Sequence, residues 1–359
     1  MKIQGKYLDE IEKLVNEKTL NFDLLKNKSI LITGATGMIC SFLVDVLMYR
    51  NSKYNDNIKI YIISRTKEKV LKRFNHYEIE EYSKNNKSNL IYIIQNICKP
   101  LEVDIPFDYI IHGASNTHPV SYSKDPVGTI TTNVLGFYNL LEYSISHTPN
   151  RIFLMSTVEI YGENKKDVEE FDENYLGYIN CNTVRAGYPE SKRVCESLAQ
   201  AYISKYNMDI VIGRFPRTYG PTMQLEDSKA SAQFIKNALN NEDIVLKSEG
   251  NQYYSYCYTF DAVSALLKIL LDGISSEAYN IADKKSNITL KDFAQILANY
   301  NNKEVVFELP NDIEKKGFSN ATKAIMNADK LKKLGWTMQY DIKNGLIRTL
   351  EIMRENSEI

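Results

Sequence analysis

Short apolar runs alternate with longer stretches of helical period along the first 215 residues. Lys28–Thr33 (KSILIT), Ile58–Ile63 (IKIYII), Leu90–Ile94, Phe107–Ile111 (FDYII), Arg151–Met155 (RIFLM) and Asp209–Gly213 (DIVIG) are short, apolar and mostly β-branched. Runs of this kind, without strict alternation, mark strands buried on both faces. Between them, Met38 to Arg50, 126–146 and 186–206 carry apolar residues at helical spacing. Such alternation implies an α/β fold: a doubly wound parallel sheet with helices on both faces. Ahead of it, Tyr7, Leu8, Ile11, Leu14 and Val15 recur at helical spacing within residues 1–27, which predicts a helical arm packed on the body. Beyond residue 215 strands become fewer and aromatic-polar residues more frequent, as in QYYSYCYTF. Tyr253–Tyr258, with Cys257, reads as a strand of alternating burial. Helices are expected at 287–300, 326–333 and 342–354. The chain thus divides into an arm (1–27), a main domain (28–215) and a smaller C-terminal lobe (216–359), with some of the lobe free to cross back.

Composition removes several classes of function. The 359 residues carry 44 Lys+Arg against 45 Asp+Glu, a net charge of -1, so no phosphate-tracking surface for nucleic acid is expected. No apolar run reaches the roughly 18 residues of a membrane span. The N-terminus, MKIQGKYLDEIEKLV, lacks the apolar core of a signal peptide. Five cysteines without CxxC spacing and only four histidines argue for the reducing cytoplasm and against a metal site.

Gly34-Ala-Thr36-Gly37-Met38-Ile39-Cys40 lies between the first strand and the first long helix. Glycines there allow a tight turn and let a pyrophosphate approach backbone N–H groups at a helix N-terminus. That context predicts a Rossmann-type dinucleotide site. Cys40 stands where Gly or Ala is usual, a mild departure. The second strand ends Ser64-Arg65-Thr66-Lys67, with no carboxylate for the adenosine ribose. Arg65 could hold a 2′-phosphate, which tips the choice between NAD and NADP slightly toward NADP.

Ser156-Thr157-Val158-Glu159-Ile160-Tyr161-Gly162 follows the fifth strand, and Tyr188-Pro-Glu-Ser-Lys192 opens a helix. Residues i and i+4 share a helix face. A lysine ammonium one turn from a phenol lowers the phenol's pKa and makes it a proton acceptor near neutral pH. A Thr or Ser hydroxyl can bond both that phenol and a substrate oxygen.

These motifs resemble the extended short-chain dehydrogenase/reductases of the NAD-dependent epimerase/dehydratase group, which act on nucleotide sugars. The resemblance runs from about Lys28 to Gly345, through GATGMIC, HGASNTHPVSY, DPVGTITTNVLG, STVEIYG, RAGYPESKR, RFPRTYGP and EGNQYYSYCYTFD. The UDP-glucuronate decarboxylases and their relatives show the most similar pattern. The resemblance implies that Gly34 and Gly37 bind the pyrophosphate, that Ala114 and Ser115 line the cofactor and that Asn133 supports it. Asn96-Ile97 stands where Asp-aliphatic is usual against the adenine. It also implies Tyr188 as the base that takes the hydroxyl proton as hydride leaves C4 of the sugar. Lys192 would bind the nicotinamide ribose, Thr157 would share the substrate hydroxyl and Glu159 would be a second acid/base. Ser156, Thr117 and His118 would face the sugar. The resemblance also implies a homodimer through the helices at 126–146 and 186–206, and precursor synthesis for bacterial surface polysaccharides as the setting.

Three departures narrow the chemistry. Val158 replaces the Asp that protonates the leaving hydroxyl in dehydratases. Tyr254 stands at the Arg that holds the carboxylate or diphosphate, and Arg217 at the usual Asn. Arg217 is expected to supply the missing cation from across the pocket. The expected enzyme is therefore an epimerase of a nucleotide-diphosphate sugar. Alternatives are a dehydratase or decarboxylase with displaced residues, a 4-keto-sugar reductase, and a dinucleotide-sensing protein without catalysis.

Overall fold

The computed structural model describes residues 2–117, 124–308 and 321–357. An arm helix, Gly5–Val15, buries Tyr7, Ile11 and Leu14 completely. It packs against both the helix Met38–Tyr54 and the C-terminal helix Ile342–Ser357. The strands of the main sheet are β1 (Ser29–Thr33), β2 (Lys59–Ser64), β3 (Ile79–Glu81), β4 (Leu90–Ile94), β5 (Tyr109–His112), β6 (Arg151–Thr157) and β7 (Ile210–Phe215). Three-residue strands β8 (Arg217–Tyr219) and β9 (Ile244–Leu246) follow, then β10 (Tyr253–Tyr258), β11 (Ala278–Asn280), β12 (Asn287–Thr289), β13 (Val305–Phe307) and β14 (Lys323–Ala324).

The main sheet has the order β11-β7-β6-β5-β1-β2-β4-β3, and every pairing in it is parallel. From β1 the chain winds outward through β2 to β4, then returns to the other side of β1 through β5, β6 and β7. The order reverses between β1 and β5, and a crevice opens there at the strands' carboxyl ends. Thr33 pairs with Ile63 on one side and His112 on the other, so the carboxyl ends of three strands rim that crevice. Helices Pro126–His147 and Gly187–Tyr206 pack against each other on the sheet. The first is capped by Asp125, whose side chain accepts from the Gly128 N–H at 2.8 Å, with Pro126 at its first turn.

Past residue 216 the chain does return to the first sheet. The helix Thr259–Asp272 packs on β7 and on the 38–54 helix, and β11 adds a parallel strand beside β7. That helix is buried on all sides from Thr259 to Leu270, although Asp261, Ser264, Lys268 and Asp272 recur along it at helical spacing. It and Ala230–Leu239 are additions to the sequence-based expectation. The stretch expected as a helix at 287–300 is a strand, β12, followed by a helix at Leu290–Tyr300. The one expected at 326–333 shrinks to Asp329–Lys333.

β8, β10, β12 and β14 form a small second sheet. In β10 burial does not alternate: only Tyr253 is exposed, and the next five residues are buried. One face packs Tyr256 against Phe293 and Tyr258 against Tyr340, each with ring centroids 4.9 Å apart. On the other face Ser255 donates to Asn287 Oδ1 at 2.7 Å and accepts from the Met326 N–H at 3.0 Å. A strand covered on both faces has no reason to alternate. Among the described residues no helix is long and apolar enough to cross a membrane.

Candidate active site

A cavity of about 610 Å³ runs across the carboxyl ends of the main-sheet strands. At one end is the turn after β1. Gly34 has φ +71°, and a Cβ there would lie 2.6 Å from the Gly113 carbonyl oxygen. The turn closes with the Gly37 N–H donating to Gly34 O at 2.9 Å, and Gly37 caps the 38–54 helix. The helix therefore aims its free N–H groups into the cavity, the arrangement that receives a pyrophosphate. Cys40 packs behind the turn, its Sγ 3.5 Å from Met155 Sδ. A Cβ on Gly113 would lie 2.8 Å from that Sγ, so Cys40 fills the tight helix–strand contact.

The Thr33 hydroxyl organises the rim. Its oxygen accepts from the N–H groups of Gly113 and Ala114 at 3.2 and 3.1 Å. With both acceptor sites used, its proton goes to His112 Nδ1, 2.9 Å away. His112 is then the Nε2–H tautomer, and that nitrogen is buried without a partner. Burial holds the imidazole pKa down at about 3. Ser115 Oγ is likewise buried without a hydrogen bond.

Thr36, Met38, Ile39, Ser64, Arg65, Asn96, Ile97, Ala114, Ser115 and Thr117 all line this cavity with the two glycines. Arg65 is exposed, and Lys69 lies on the same wall. Asn133 stands behind the wall instead. Its Nδ2 donates to Ser191 Oγ at 2.8 Å, and Ser191 donates to the Tyr188 carbonyl at 2.7 Å. Asn133 therefore holds the start of the 187–206 helix. His118 lies outside the described residues.

At the cavity's other end are Thr157, Glu159, Tyr188 and Lys192. Tyr188 and Lys192 sit one turn apart on the 187–206 helix, both buried. Lys192 Nζ donates to the Met155 carbonyl at 2.9 Å, and burial lowers its pKa. The Tyr188 phenol differs from the sequence-based expectation, because its pKa is raised rather than lowered. Burial is the main cause and the nearby Glu159 carboxylate the second, while a hydrogen bond with Thr157 and the charge of Arg185 pull the other way. Glu159 is paired with Arg185, Nη2 to Oε2 at 2.6 Å. Ser156 rims the cavity, but its hydroxyl donates to Glu196 Oε1 at 2.5 Å. Glu196 in turn holds Arg214 at 2.7 Å.

Arg217 lines both the large cavity and a smaller one with Glu159, Arg185, Asn180 and Ala324. It does not reach across the pocket from Tyr254, as the sequence suggested. The two lie on adjacent strands, with the guanidinium carbon 3.3 Å from the Tyr254 ring centroid. Tyr254 is absent from the described walls of both cavities, and its hydroxyl donates to the Ala321 carbonyl at 2.6 Å. Arg193 donates from Nε to the Ile160 carbonyl at 2.8 Å. The segment 224–231 supplies wall residues that sequence reasoning missed: Gln224, Glu226, Asp227, Lys229 and Ser231. It is anchored over the glycine turn, with Thr222 Oγ1 donating to Met38 O at 2.8 Å and Gln224 Nε2 to Thr36 O at 3.2 Å. Nothing local in that aperiodic sequence announces the contact.

Comparison with known proteins agrees with this architecture. UDP-glucuronic acid decarboxylase 6 of Arabidopsis thaliana is 32% identical over 325 residues, 89% of this chain and 87% of the relative. UDP-glucuronic acid decarboxylase 1 of Danio rerio is 28% identical over 335 residues, 92% of this chain and 74% of the relative. Among solved structures, UDP-glucose 4-epimerase of Thermotoga maritima superimposes with a TM-score of 0.76 at 21% identity, covering 92% of this chain and 99% of that one. UDP-glucuronic acid 4-epimerase of Bacillus cereus, solved with UDP-glucuronic acid and NAD, gives 0.75 at 20% identity, covering 91% and 99%. The family model for the NAD dependent epimerase/dehydratase family matches residues 30–282, and the chain belongs to that family.

Proposed function

We propose that the chain oxidises a nucleotide-diphosphate sugar at C4 and returns it as the C4 epimer. One observation carries this reading: the Tyr188–Thr157 hydrogen bond, with Lys192 one turn on, closes the end of a cavity whose other end is a pyrophosphate turn. The cavity, the glycine turn and the unpartnered Ser115 hydroxyl fit a nicotinamide dinucleotide. When bound, such a dinucleotide would supply the acceptor and donor for a C4 hydride.

The chain's own residues do the rest. Thr157 hydrogen-bonds the C4 oxygen, and Tyr188, in its phenolate form, takes the hydroxyl proton as the C–H bond yields hydride, leaving a ketone. In the return step Tyr188 gives the proton back to the oxygen. Inversion follows when hydride returns to the opposite face of the ring. Val158 offers no acid for a leaving hydroxyl, which disfavours 4,6-dehydration.

Decarboxylation is the second reading. It is favoured by Arg217 on a wall whose two carboxylates, Glu159 and Glu163, are already paired with Arg185 and Lys165, which leaves a cation for an anionic sugar. A 4-keto hexuronate is a β-keto acid, so C4 oxidation itself labilises the carboxylate.

The 2′-phosphate of NADP would meet Arg65 and Lys69, while NAD would leave both facing water. We also infer a homodimer. Val127, Ile130, Tyr138 and Ile145 of the 126–147 helix and Val194 of the 187–206 helix are exposed apolar residues on the paired helices. The five cysteines form no disulfide, which supports a reducing cytoplasm, and surface-polysaccharide precursor synthesis is the proposed setting.

The test is mass spectrometry of small molecules released on denaturation, followed by NMR of UDP-glucose and UDP-glucuronate incubated with the native protein. Bound dinucleotide and inversion at C4 support the epimerase. Carbon dioxide with a pentose product selects the decarboxylase. A chain that binds no nicotinamide nucleotide, bound or added, overturns both.

A further inference from the structure

β8 and β10 run side by side in parallel, with Arg217 opposite Tyr256. The Arg217 guanidinium stacks on the next aromatic along β10, its central carbon 3.3 Å from the Tyr254 ring centroid. The ring is itself fixed, because it is buried and its hydroxyl is bonded to the Ala321 carbonyl. Stacking of this kind fixes the plane of a guanidinium but satisfies none of its N–H groups.

At least one of those groups has no other use among the described residues. Nη1 of Arg217 is fully buried and lacks a hydrogen-bond partner, and among the described residues no carboxylate pairs with this side chain. The acids on the same wall, Glu159 and Glu163, are already held by Arg185 at 2.6 Å and by Lys165 at 2.8 Å. A buried, unpaired guanidinium nitrogen is costly to leave unsatisfied. Yet it stands where the cavity containing Tyr188 meets the smaller one containing Arg185.

We propose that Arg217 binds an anionic oxygen of the sugar nucleotide and that Tyr254 positions it. The inference rests on the nucleotide-sugar reading and adds the residue that reads the substrate's charge. Relative to the family pattern, the cation has moved from β10 to β8 and the aromatic has taken its old place. The anion has two sources with the same chemistry, the diphosphate and a C6 carboxylate on the sugar. Either accepts two parallel N–H bonds from a planar fork.

The experiment is calorimetric titration of the full chain, as purified, with UDP, UDP-glucose and UDP-glucuronate. The variants are Arg217→Gln, Arg217→Lys, Tyr254→Phe and Tyr254→Leu. Arg217→Gln is expected to weaken binding about 10–100-fold. Lysine restores part of it, since a point charge lacks the fork. Weakening toward all three ligands identifies the diphosphate; weakening toward UDP-glucuronate alone identifies the carboxylate. Tyr254→Phe keeps the platform and is expected to bind like wild type, whereas Tyr254→Leu loses affinity toward the same ligands as Arg217→Gln. Unchanged affinity of Arg217→Gln for all three overturns the proposal. A wild-type chain that binds none of them, nor their dTDP, CDP or GDP counterparts, overturns the nucleotide-sugar reading instead.

Discussion

Glu159 and Arg185 form an ion pair, Nη2 to Oε2 at 2.6 Å, and the two charges push the Tyr188 phenol in opposite directions. The carboxylate raises the pKa of Tyr188, because a like charge disfavours the phenolate. The guanidinium lowers it.

Neutralising the pair one side at a time therefore moves the pH–rate profile both ways. In Glu159→Gln the phenolate forms more readily, so the acid limb of the profile shifts to lower pH. In Arg185→Gln it shifts to higher pH. Both variants are expected to turn over more slowly, up to the roughly 10²–10⁴-fold that a positioned acid–base group contributes. Rate measurements from pH 5 to 10 check the signs, and shifts in the same direction would refute the account.

The turn at Gly34 makes a more local prediction. Its φ of +71° is a conformation that L side chains rarely adopt, and an added Cβ would lie 2.6 Å from the Gly113 carbonyl oxygen. Gly34→Ala is expected to cost about 1–3 kcal/mol of backbone strain. The turn would have to shift to relieve it, and the helix N-terminus would lose its aim. Dinucleotide content after purification should fall with stability in urea. A variant that retains full cofactor would show that the turn does not hold the pyrophosphate.

How far the sequence disclosed this site depends on how local each signal is. The glycine turn and the Tyr188–Lys192 spacing are written within a few neighbouring residues, and the strands on either side are apolar enough to place them. Buried β1, β2 and β4–β7 were legible for the same reason. The 259–272 helix was not: it follows β10 with no turn between them, so its helical spacing of Asp261, Ser264, Lys268 and Asp272 runs on from the buried strand unannounced. Asn133 shows another limit: its role depends on Ser191, 58 positions away. The raised pKa of Tyr188 depends on burial by the whole fold and could not be read from the lysine spacing. Segment 222–231 joins the wall through two hydrogen bonds to backbone carbonyls, which any sequence offers.

His112 links the cofactor crevice to acid stability. Its imidazole is buried and neutral, with a pKa of about 3 against the 6.5 of a free histidine. The unfolded chain therefore takes up a proton below about pH 6.5 that the folded chain refuses, and stability falls as pH drops through that window toward 3. At about 1.4 kcal/mol per unit, the loss from this one group reaches about 2–3 kcal/mol by pH 4.5. A proton on Nδ1 would also displace the Thr33 hydroxyl proton and disturb its hold on Gly113 and Ala114. In His112→Gln that share of the acid dependence should vanish, although stability at pH 7 falls. Urea unfolding at pH 7, 5.5 and 4.5 separates the two effects, and an unchanged pH slope would contradict the assignment.

The arm at residues 5–15 is tied to the body by a buried charge. Asp45, fully buried on the 38–54 helix, accepts from Tyr7 Oη at 2.5 Å, from Tyr77 Oη at 3.0 Å and from Arg73. The carboxylate thus joins the arm, the first long helix and the helix Lys67–Phe74. Asp45→Asn keeps the shape but leaves the largely buried Arg73 guanidinium uncompensated, and its amide adds donors where donors already converge. The expected loss is about 3–5 kcal/mol, the cost of breaking a buried pair from one side. Replacing both partners, Asp45→Leu with Arg73→Met, removes the stranded charge and should recover much of it. Limited proteolysis supplies the second readout. Because Tyr7 loses its best acceptor, the single variant should be cut within residues 1–27 at protease levels that spare wild type. Equal destabilisation in the single and double variants would mean that packing of Tyr7, Ile11 and Leu14, not the charge on Asp45, holds the arm.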